Sequence, residues 1–179
     1  MLTVMSALRP IAALGFAALT TACAPTLGPP PPGAMPEPRA TFSAGDFAWS
    51  KAPGSNGVVG HLAYHQGALR FTCAGSTVVL TPETAWSRRR MEALYGSAER
   101  AALPTDEVRA RTPDAPAGDA GPFVRRTTCD AADRFAFGGL PDGAWYVITV
   151  AKPVADHGPT VALMRRVVLR GGRTLPVGL

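Results

Sequence analysis

Histidines are the first residues to test for chemistry, because His61 and His65 lie four residues apart. On a helix this spacing would bring both imidazoles to one metal ion. The surrounding sequence, GVVGHLAYH, alternates as a strand does, and a strand separates the two Cβ atoms by roughly 13 Å. His157 follows Asp156 in a segment typical of a surface loop. We therefore predict no metal site and no cofactor.

No pattern of a catalytic site accompanies these histidines. The sequence shows no Ser-His-Asp order, no glycine-rich phosphate loop and no pair of carboxylates on one strand face. We therefore predict that the protein is not an enzyme, and we assign no catalytic residue.

The three cysteines are an odd number for an exported protein. If Cys23 carries a lipid, Cys73 and Cys129 are left to pair in an oxidising periplasm, and this bridge would stabilise the fold by about 4 kcal/mol. The alternative is two buried thiols. A catalytic cysteine is disfavoured, because no His or Asn is placed to activate it.

Residues 1–22 have the features of a lipoprotein signal peptide. An arginine precedes the apolar run Ile11–Leu19, which is too short to span a bilayer as a permanent helix. The ending LTTAC resembles a bacterial lipobox, which implies that Cys23 carries fatty acyl chains such as palmitate. Ala24 in place of an acid favours sorting to the outer membrane, facing the periplasm. An ordinary secretory peptide cut near Ala22 is the alternative.

Residues 23–41 form a proline-rich linker between this anchor and the folded domain. Proline clusters hold an extended conformation of about 3.1 Å per residue, so the linker could reach roughly 50 Å. The folded domain is predicted to occupy residues 42–179.

Arg88-Arg89-Arg90 is the densest positive run in a chain of net charge +5. It is either a solvated helix face or a contact surface for anionic lipid headgroups, lipopolysaccharide or an acidic partner. Nucleic acid is disfavoured as a partner, because no aromatic residues interleave with the arginines and an exported protein does not meet it.

The stretch 127–150 organises the predicted fold. Arg134–Phe137 alternates polar and apolar residues as a strand does, and Ala144–Val150 is rich in aromatic and β-branched residues. Between them, Gly138–Gly143 has the composition of a turn. The stretch therefore predicts a strand, a turn and a second strand.

The residue order in this stretch resembles the carboxypeptidase regulatory-like domain. The matching positions are Asp130, Asp133, Arg134, Phe135, Phe137, Leu140, Pro141, Gly143, Trp145, Tyr146 and Val150. The resemblance implies a mostly β, transthyretin-like (prealbumin-like) β-sandwich of about seven strands. Two positions depart from the family pattern: Asp133 stands where Gly is usual, and Ala144 precedes an aromatic pair.

The flanking sequence completes the sandwich. Phe42–Ser50 is predicted to be the first strand, and Thr81-Pro82-Glu83 the start of a helix within 84–102. This helix belongs to an insertion, 83–122, whose second part is predicted to be a mobile loop. Gly171-Gly172 predicts a two-residue hairpin before the last strand.

Three functions are compatible with this reading. The favoured one is a non-catalytic envelope lipoprotein whose β-sandwich acts through protein or envelope contacts. The alternative is a module that binds peptidoglycan or polysaccharide by stacking on aromatic side chains. The candidates are Trp49, Trp86, Trp145, Tyr64 and Tyr95, of which Trp145 and Tyr64 are otherwise expected to fill the core. A remote alternative is a small hydrolase, by analogy with hydroxyisourate hydrolases of transthyretin-like fold, although the chain lacks their C-terminal Tyr-Arg-Gly-Ser.

Overall fold

The computed structural model describes residues 41–155 and 158–179. The predicted signal peptide, the lipidation site at Cys23, most of the linker and His157 lie outside these residues. Within them, no helix has both the length and the apolar character needed to cross a membrane.

The described residues form ten strands, two α-helices and three 3₁₀ helices. The strands are β1 (Asn56–His61), β2 (His65–Gln66), β3 (Leu69–Thr72), β4 (Thr77–Pro82), β5 (Arg100–Pro104), β6 (Arg125–Thr128), β7 (Arg134–Leu140), β8 (Gly143–Pro153), β9 (Val161–Leu169) and β10 (Thr174–Gly178). The helices are α1 (Ala85–Tyr95) and α2 (Thr105–Ala110), and the 3₁₀ helices are Ala44–Lys51, Thr112–Asp114 and Gly121–Phe123.

Two sheets face each other. In the larger sheet the order is β6-β4-β8-β9-β5, and the short β2–β3 pair joins β8 beyond the end of β4. In the smaller sheet β1 lies between β7, which is antiparallel to it, and β10, which is parallel to it. Strands β5 and β6 are therefore edge strands of the larger sheet, and β2 is the edge of its short extension.

The main core fills the space between the sheets. Its fully buried members come from both sheets and include Val58, Leu80, Leu140, Trp145, Val147 and Leu169. A second cluster covers the outer face of the larger sheet, where α1 supplies Met91, Leu94 and Tyr95 against Tyr146 and Met164. This arrangement confirms the mostly β sandwich with a helical insertion, with ten strands where about seven were predicted.

The two strands predicted within 127–150 are present as β7 and β8. They do not form a hairpin, because β7 pairs in the smaller sheet and β8 in the larger one. The chain crosses between the sheets at the turn, where Gly143 has φ 150° and a Cβ would lie 2.3 Å from the Trp49 ring. Only glycine fits this close approach.

The prediction of a first strand over Phe42–Ser50 is wrong, since the segment is a 3₁₀ helix. Residues three apart share one face of a 3₁₀ helix, and here Phe47 and Ser50 are its buried pair. The Ser50 hydroxyl donates to the Phe47 carbonyl, and the Phe47 ring stacks on Phe123. Tertiary packing of the aromatic residues thus decides the local conformation.

The predicted helix within 84–102 is shorter and begins later than its sequence signal. Thr84, not Thr81, is the N-cap, and its side chain and that of Ser87 form a reciprocal capping box. The helix ends at Tyr95, and the φ of 70° at the next residue, Gly96, is the left-handed conformation typical of a C-terminal cap. Ala101, which is within the range predicted for the helix, lies instead in β5.

Two further predictions are corrected. The segment predicted as a mobile loop contains α2 and two short 3₁₀ helices, so the insertion contributes the edge strand β5 and two α-helices. Gly171-Gly172 does not form a hairpin, because the following strand, β10, joins the other sheet. The Arg173 N–H donates to the Asn56 side chain there, which directs the chain towards β1.

Candidate functional site

A pocket opens between the sheets beside the edge strand β5. Its volume is about 480 Å³. Its lining comes from β5, β9, the end of β10 and the segment after β1: Tyr64, Arg100, Ala101, Ala102, Leu163, Met164, Arg165, Gly178 and Leu179. We call this pocket the edge cleft. It combines an apolar floor with one aromatic ring and two guanidinium groups.

The two arginines of the edge cleft lie directly opposite each other, Arg100 on β5 and Arg165 on β9. Opposite residues of an antiparallel pair point to the same face. On this face of β9 the neighbours of Arg165 are Leu163 and Val167, both members of the core between the sheets. Both arginines are exposed, and Arg165 Nη1 donates to the Gly178 carbonyl at 2.6 Å, which joins the two sheets.

Tyr64 forms the aromatic wall of the edge cleft. Its ring is half-buried and packs edge-on against Phe71, with ring centroids 5.2 Å apart. Its carbonyl accepts a hydrogen bond from the Phe71 N–H. Both contacts hold the ring at the margin of the core while part of it stays accessible.

The arginine run that was predicted as a contact surface is largely engaged within the molecule. Arg88 forms ion pairs with Glu83 at 3.1 Å, Glu99 at 3.4 Å and Glu92 at 3.6 Å, and its hydrogen bond to Glu83 raises its pKa. Arg90 donates to the Pro116 carbonyl.

The third arginine of the run, Arg89, is exposed. The contact role of all three arginines stays a prediction. As far as the structure describes it, this surface carries acidic side chains among the basic ones, so it is not a purely positive patch.

A second, smaller pocket has a volume of about 320 Å³, and both His61 and His65 line it. The argument that one strand would separate them does not apply, because β1 ends at His61 and a new strand begins at His65. His65 Nδ1 lies 3.0 Å from the Ala63 carbonyl. Arg70 and Asp133 also line this pocket.

Asp133 is a structural residue of the smaller pocket. Its Oδ1 accepts hydrogen bonds from the Thr72 hydroxyl and, at 2.8 Å, from the Cys73 N–H. Arg70 lies 3.7 Å from its Oδ2. The carboxylate therefore accepts a hydrogen bond from the backbone at one cysteine of the disulfide.

Cys73 and Cys129 form a disulfide, which confirms their predicted pairing. Their Cα atoms are 5.7 Å apart, within the usual range. In the described part of the chain, one group of three potential metal ligands has its ligand atoms close together, and it consists of Cys73, Cys129 and Asp133. The disulfide bond engages both sulfurs of this group.

Most aromatic residues that were candidates for stacking on a glycan are buried. Trp86 is 2% exposed, Trp145 is fully buried and Tyr95 is 8% exposed, so none of the three offers a free ring face. Trp49 packs edge-on against Trp145. Of the five candidate aromatic residues, Tyr64 lines the edge cleft.

Sequence reasoning missed the arginines of the edge cleft as site residues. Arg165 carried a usable signal, because it interrupts an apolar strand pattern. Arg100 carried none, since its segment was assigned to the predicted helix and its pairing with β9 spans 65 positions of sequence (165 − 100).

Comparisons with known proteins give a fold relationship alone. No protein-family model matches the chain. No curated protein matches it either. Among solved structures, a proposed carbohydrate-binding protein from Pseudomonas aeruginosa is similar, with a TM-score of 0.54 and 19% sequence identity over 77% of this chain and 97% of that one. This similarity supports the β-sandwich fold.

Proposed function

We propose that the domain is a non-catalytic binding module whose edge cleft takes a carbohydrate chain. The observation that carries the proposal is the lining of this cleft, which places the Tyr64 ring and an apolar floor beside two guanidinium groups. Sugars present both an apolar C–H face and hydroxyl groups. A site with an aromatic wall and a few fixed donors is suited to both.

The fold relationship supports this proposal over an unspecified protein contact. The similar structure from Pseudomonas aeruginosa is itself proposed to bind carbohydrate, and the alignment spans most of both chains. The edge cleft is also concave and about 480 Å³ in volume, which is in the range of small-ligand sites. A flat protein–protein interface would not need such a cavity.

The test is binding of the purified protein to isolated peptidoglycan sacculi and to a panel of soluble polysaccharides. Tyr64→Leu keeps an apolar contact with Phe71 but removes the ring face, so we expect about a tenfold loss of affinity. Tyr95→Leu is the matched control, because it removes a buried ring from the opposite face of the larger sheet. The proposal is rejected if Tyr64→Leu binds glycan as tightly as Tyr95→Leu. It is also rejected if the protein captures an envelope protein and binds no glycan.

We also propose that this module is held in a bacterial envelope by a lipid on Cys23, with the domain in the periplasm at the outer membrane. The lipobox-like LTTAC and the proline-rich linker support the anchor. Incorporation of labelled palmitate into the wild-type chain, and its loss in Cys23→Ala, is the expected result. Globomycin-insensitive processing, or recovery of the wild type in the soluble periplasm, would contradict it.

A further inference from the structure

The two arginines of the edge cleft repel each other at close range. Directly opposite residues of an antiparallel pair have Cβ atoms about 5 Å apart, and like charges at such positions are destabilising. Within residues 41–155 and 158–179, neither Arg100 nor Arg165 forms an ion pair, and the lining of the cleft includes no acidic side chain. The cleft therefore carries two guanidinium groups, and no aspartate or glutamate side chain lines it.

The opposite face of the same strand shows how the fold treats arginines that serve structure. Arg166, the next residue of β9, forms ion pairs with Glu83 and Glu99. The hydrogen bond to Glu83 raises the pKa of Arg166. On the helix side, Arg166 is thus paired with acidic side chains, whereas no aspartate or glutamate lines the cleft, where a ligand can reach Arg100 and Arg165.

We infer that the carbohydrate bound in the edge cleft is acidic, and that Arg100 and Arg165 together bind its oxyanion group. This inference rests on the proposed function. A guanidinium group offers parallel N–H donors that match a carboxylate or a phosphate, and two opposed groups can hold one anion from both sides. An anion between them removes the repulsion that the free protein carries.

The apolar part of the cleft explains why the anion belongs to a sugar. Ala102 and Leu163 lie next to the arginines, and Tyr64 forms the facing wall. A free inorganic anion would leave these surfaces unused. A sugar ring bearing a carboxylate or phosphate would use both the apolar wall and the paired donors.

The experiment compares one sugar chain with and without its charge. Oligogalacturonate and its methyl ester share the same ring and differ in the carboxylate, and a phosphorylated oligosaccharide of equal length tests the second oxyanion. We expect the wild type to bind at least one acidic form tenfold or more tightly than the matched neutral form. We also expect its affinity to fall as salt is raised.

Variants test whether Arg100 and Arg165 cause the preference for the acidic sugar chain. Arg100→Gln and Arg165→Gln should each reduce binding of the acidic chain about tenfold and binding of the neutral form much less, because glutamine keeps hydrogen-bond donors for sugar hydroxyl groups and loses only the charge. Arg126→Gln is the control, because Arg126 is also an exposed strand arginine but lies on the other edge of the larger sheet. Arg100→Gln should also melt at the same temperature as the wild type or higher, because it removes the repulsion.

The outcomes separate the two proposals. Tight binding of the neutral ester, equal to that of the acid, would overturn the inference and leave the proposed function standing. Binding of poly-glutamate as tight as that of the acidic sugar would reduce the site to a general anion site and overturn the sugar part. Failure to bind any sugar chain would overturn both.

Discussion

Asp133 is constrained in its backbone and in its side chain. Its φ of 60° makes it the one non-glycine residue with a positive φ in the described part of the chain. The residue is 5% exposed, and its side chain accepts hydrogen bonds from the Thr72 hydroxyl and the Cys73 N–H. The left-handed conformation costs free energy, but aspartate tolerates it well, and it directs the carboxylate towards both donors. An aspartate can therefore occupy this left-handed position, which glycine more often takes.

Two substitutions of Asp133 should separate the role of its side chain as a hydrogen-bond acceptor from the role of its charge. Asp133→Ala leaves the buried Cys73 N–H without an acceptor, so we expect a loss of about 2–3 kcal/mol in the free energy of unfolding. Asp133→Asn keeps an oxygen acceptor and tolerates the same backbone conformation, so its loss should stay below about 1 kcal/mol. Urea denaturation of both variants measures the difference. Equal losses would show that the charge, not the acceptor, matters.

Tyr146 is a buried phenol whose hydroxyl group has no hydrogen-bond partner among the described residues. Burial, and then the negative charge of Glu83, raise its pKa to about 12. Below pH 10, near the ordinary pKa of the group, folded and unfolded chains both keep the proton. Between about pH 10 and 12 the unfolded chain alone loses it, so the stability contributed by the phenol falls as pH rises.

Tyr146→Phe should therefore change stability in the alkaline range only. Near pH 7 we expect a change within about 1 kcal/mol, because the hydroxyl group forms no hydrogen bond that would be lost. Above pH 10 the variant should lose stability less steeply than the wild type in chemical denaturation at fixed pH values. Some slope should remain, since burial also raises the pKa of Tyr95 to about 12. An unchanged slope would contradict the assignment.

At the scale of elements, Glu83 holds α1 against the larger sheet. It accepts hydrogen bonds from Arg88 on α1 and from Arg166 on β9, and its side chain is 15% exposed. Glu92 also pairs with Arg88, at 3.6 Å, but within one helix and at 50% exposure. The two acids therefore provide a matched comparison of a partly buried ion pair between elements and an exposed one within an element.

Glu83→Gln should destabilise the domain by about 1.5–3 kcal/mol, because two guanidinium groups lose their charged acceptor in a partly desolvated position. Glu92→Gln should cost about 0.3–0.5 kcal/mol, as exposed helical pairs do. Both values come from urea unfolding at equal ionic strength. Comparable losses in the two variants would mean that solvent screens the Glu83 network as fully as the surface pair.

The elements that could be predicted from sequence are those with a strong local pattern. The alternation in β7 and the aromatic run in β8 are set by the two faces of a half-buried sheet, and both were found. The sheet to which each strand belongs could not be read, because a turn such as 138–143 has the same composition in a hairpin and in a crossing between sheets. The strand β5 was not predicted, because its residues fit the helical pattern and its pairing partner, β9, is distant in the sequence.

The same limit applied to the candidate site. The edge cleft is assembled from four separate segments, and Arg100 acquires its meaning from the register that places it opposite Arg165. Tyr64 was recognised as an aromatic candidate, but its exposure depends on packing against Phe71. Cys73 and Cys129 could be paired from composition, because the number of cysteines left few options.

For the molecule as a whole, the disulfide lies where the chain passes from one sheet to the other. Cys73 follows β3 of the larger sheet, and Cys129 lies between β6 of the larger sheet and β7 of the smaller one. The Cys129 N–H donates to the Ser76 carbonyl, and its own carbonyl accepts from Gly75. The bridge therefore fixes both the exit of the chain and the turn that faces it.

Loss of this bridge should be among the largest single effects on stability. The closed loop spans 56 positions, which corresponds to about 4 kcal/mol of chain entropy in the unfolded state. A domain of this size is stable by about 5–15 kcal/mol, so the reduced protein would retain a small margin. We expect the full-length Cys73→Ser/Cys129→Ser variant to melt roughly 12 °C lower than the oxidised wild type. Wild type held in reductant should shift by a similar amount, whereas the double variant should not respond to reductant.

The comparison of these two samples makes the prediction specific. If the double variant melts far below the reduced wild type, the serine hydroxyl groups cause the loss, because both positions are almost fully buried. If neither sample shifts by more than a few degrees, the bridge does not constrain the unfolded chain as argued. A matching shift in both would mean that the bridge, which forms in an oxidising compartment such as a periplasm, supplies part of the stability of the fold.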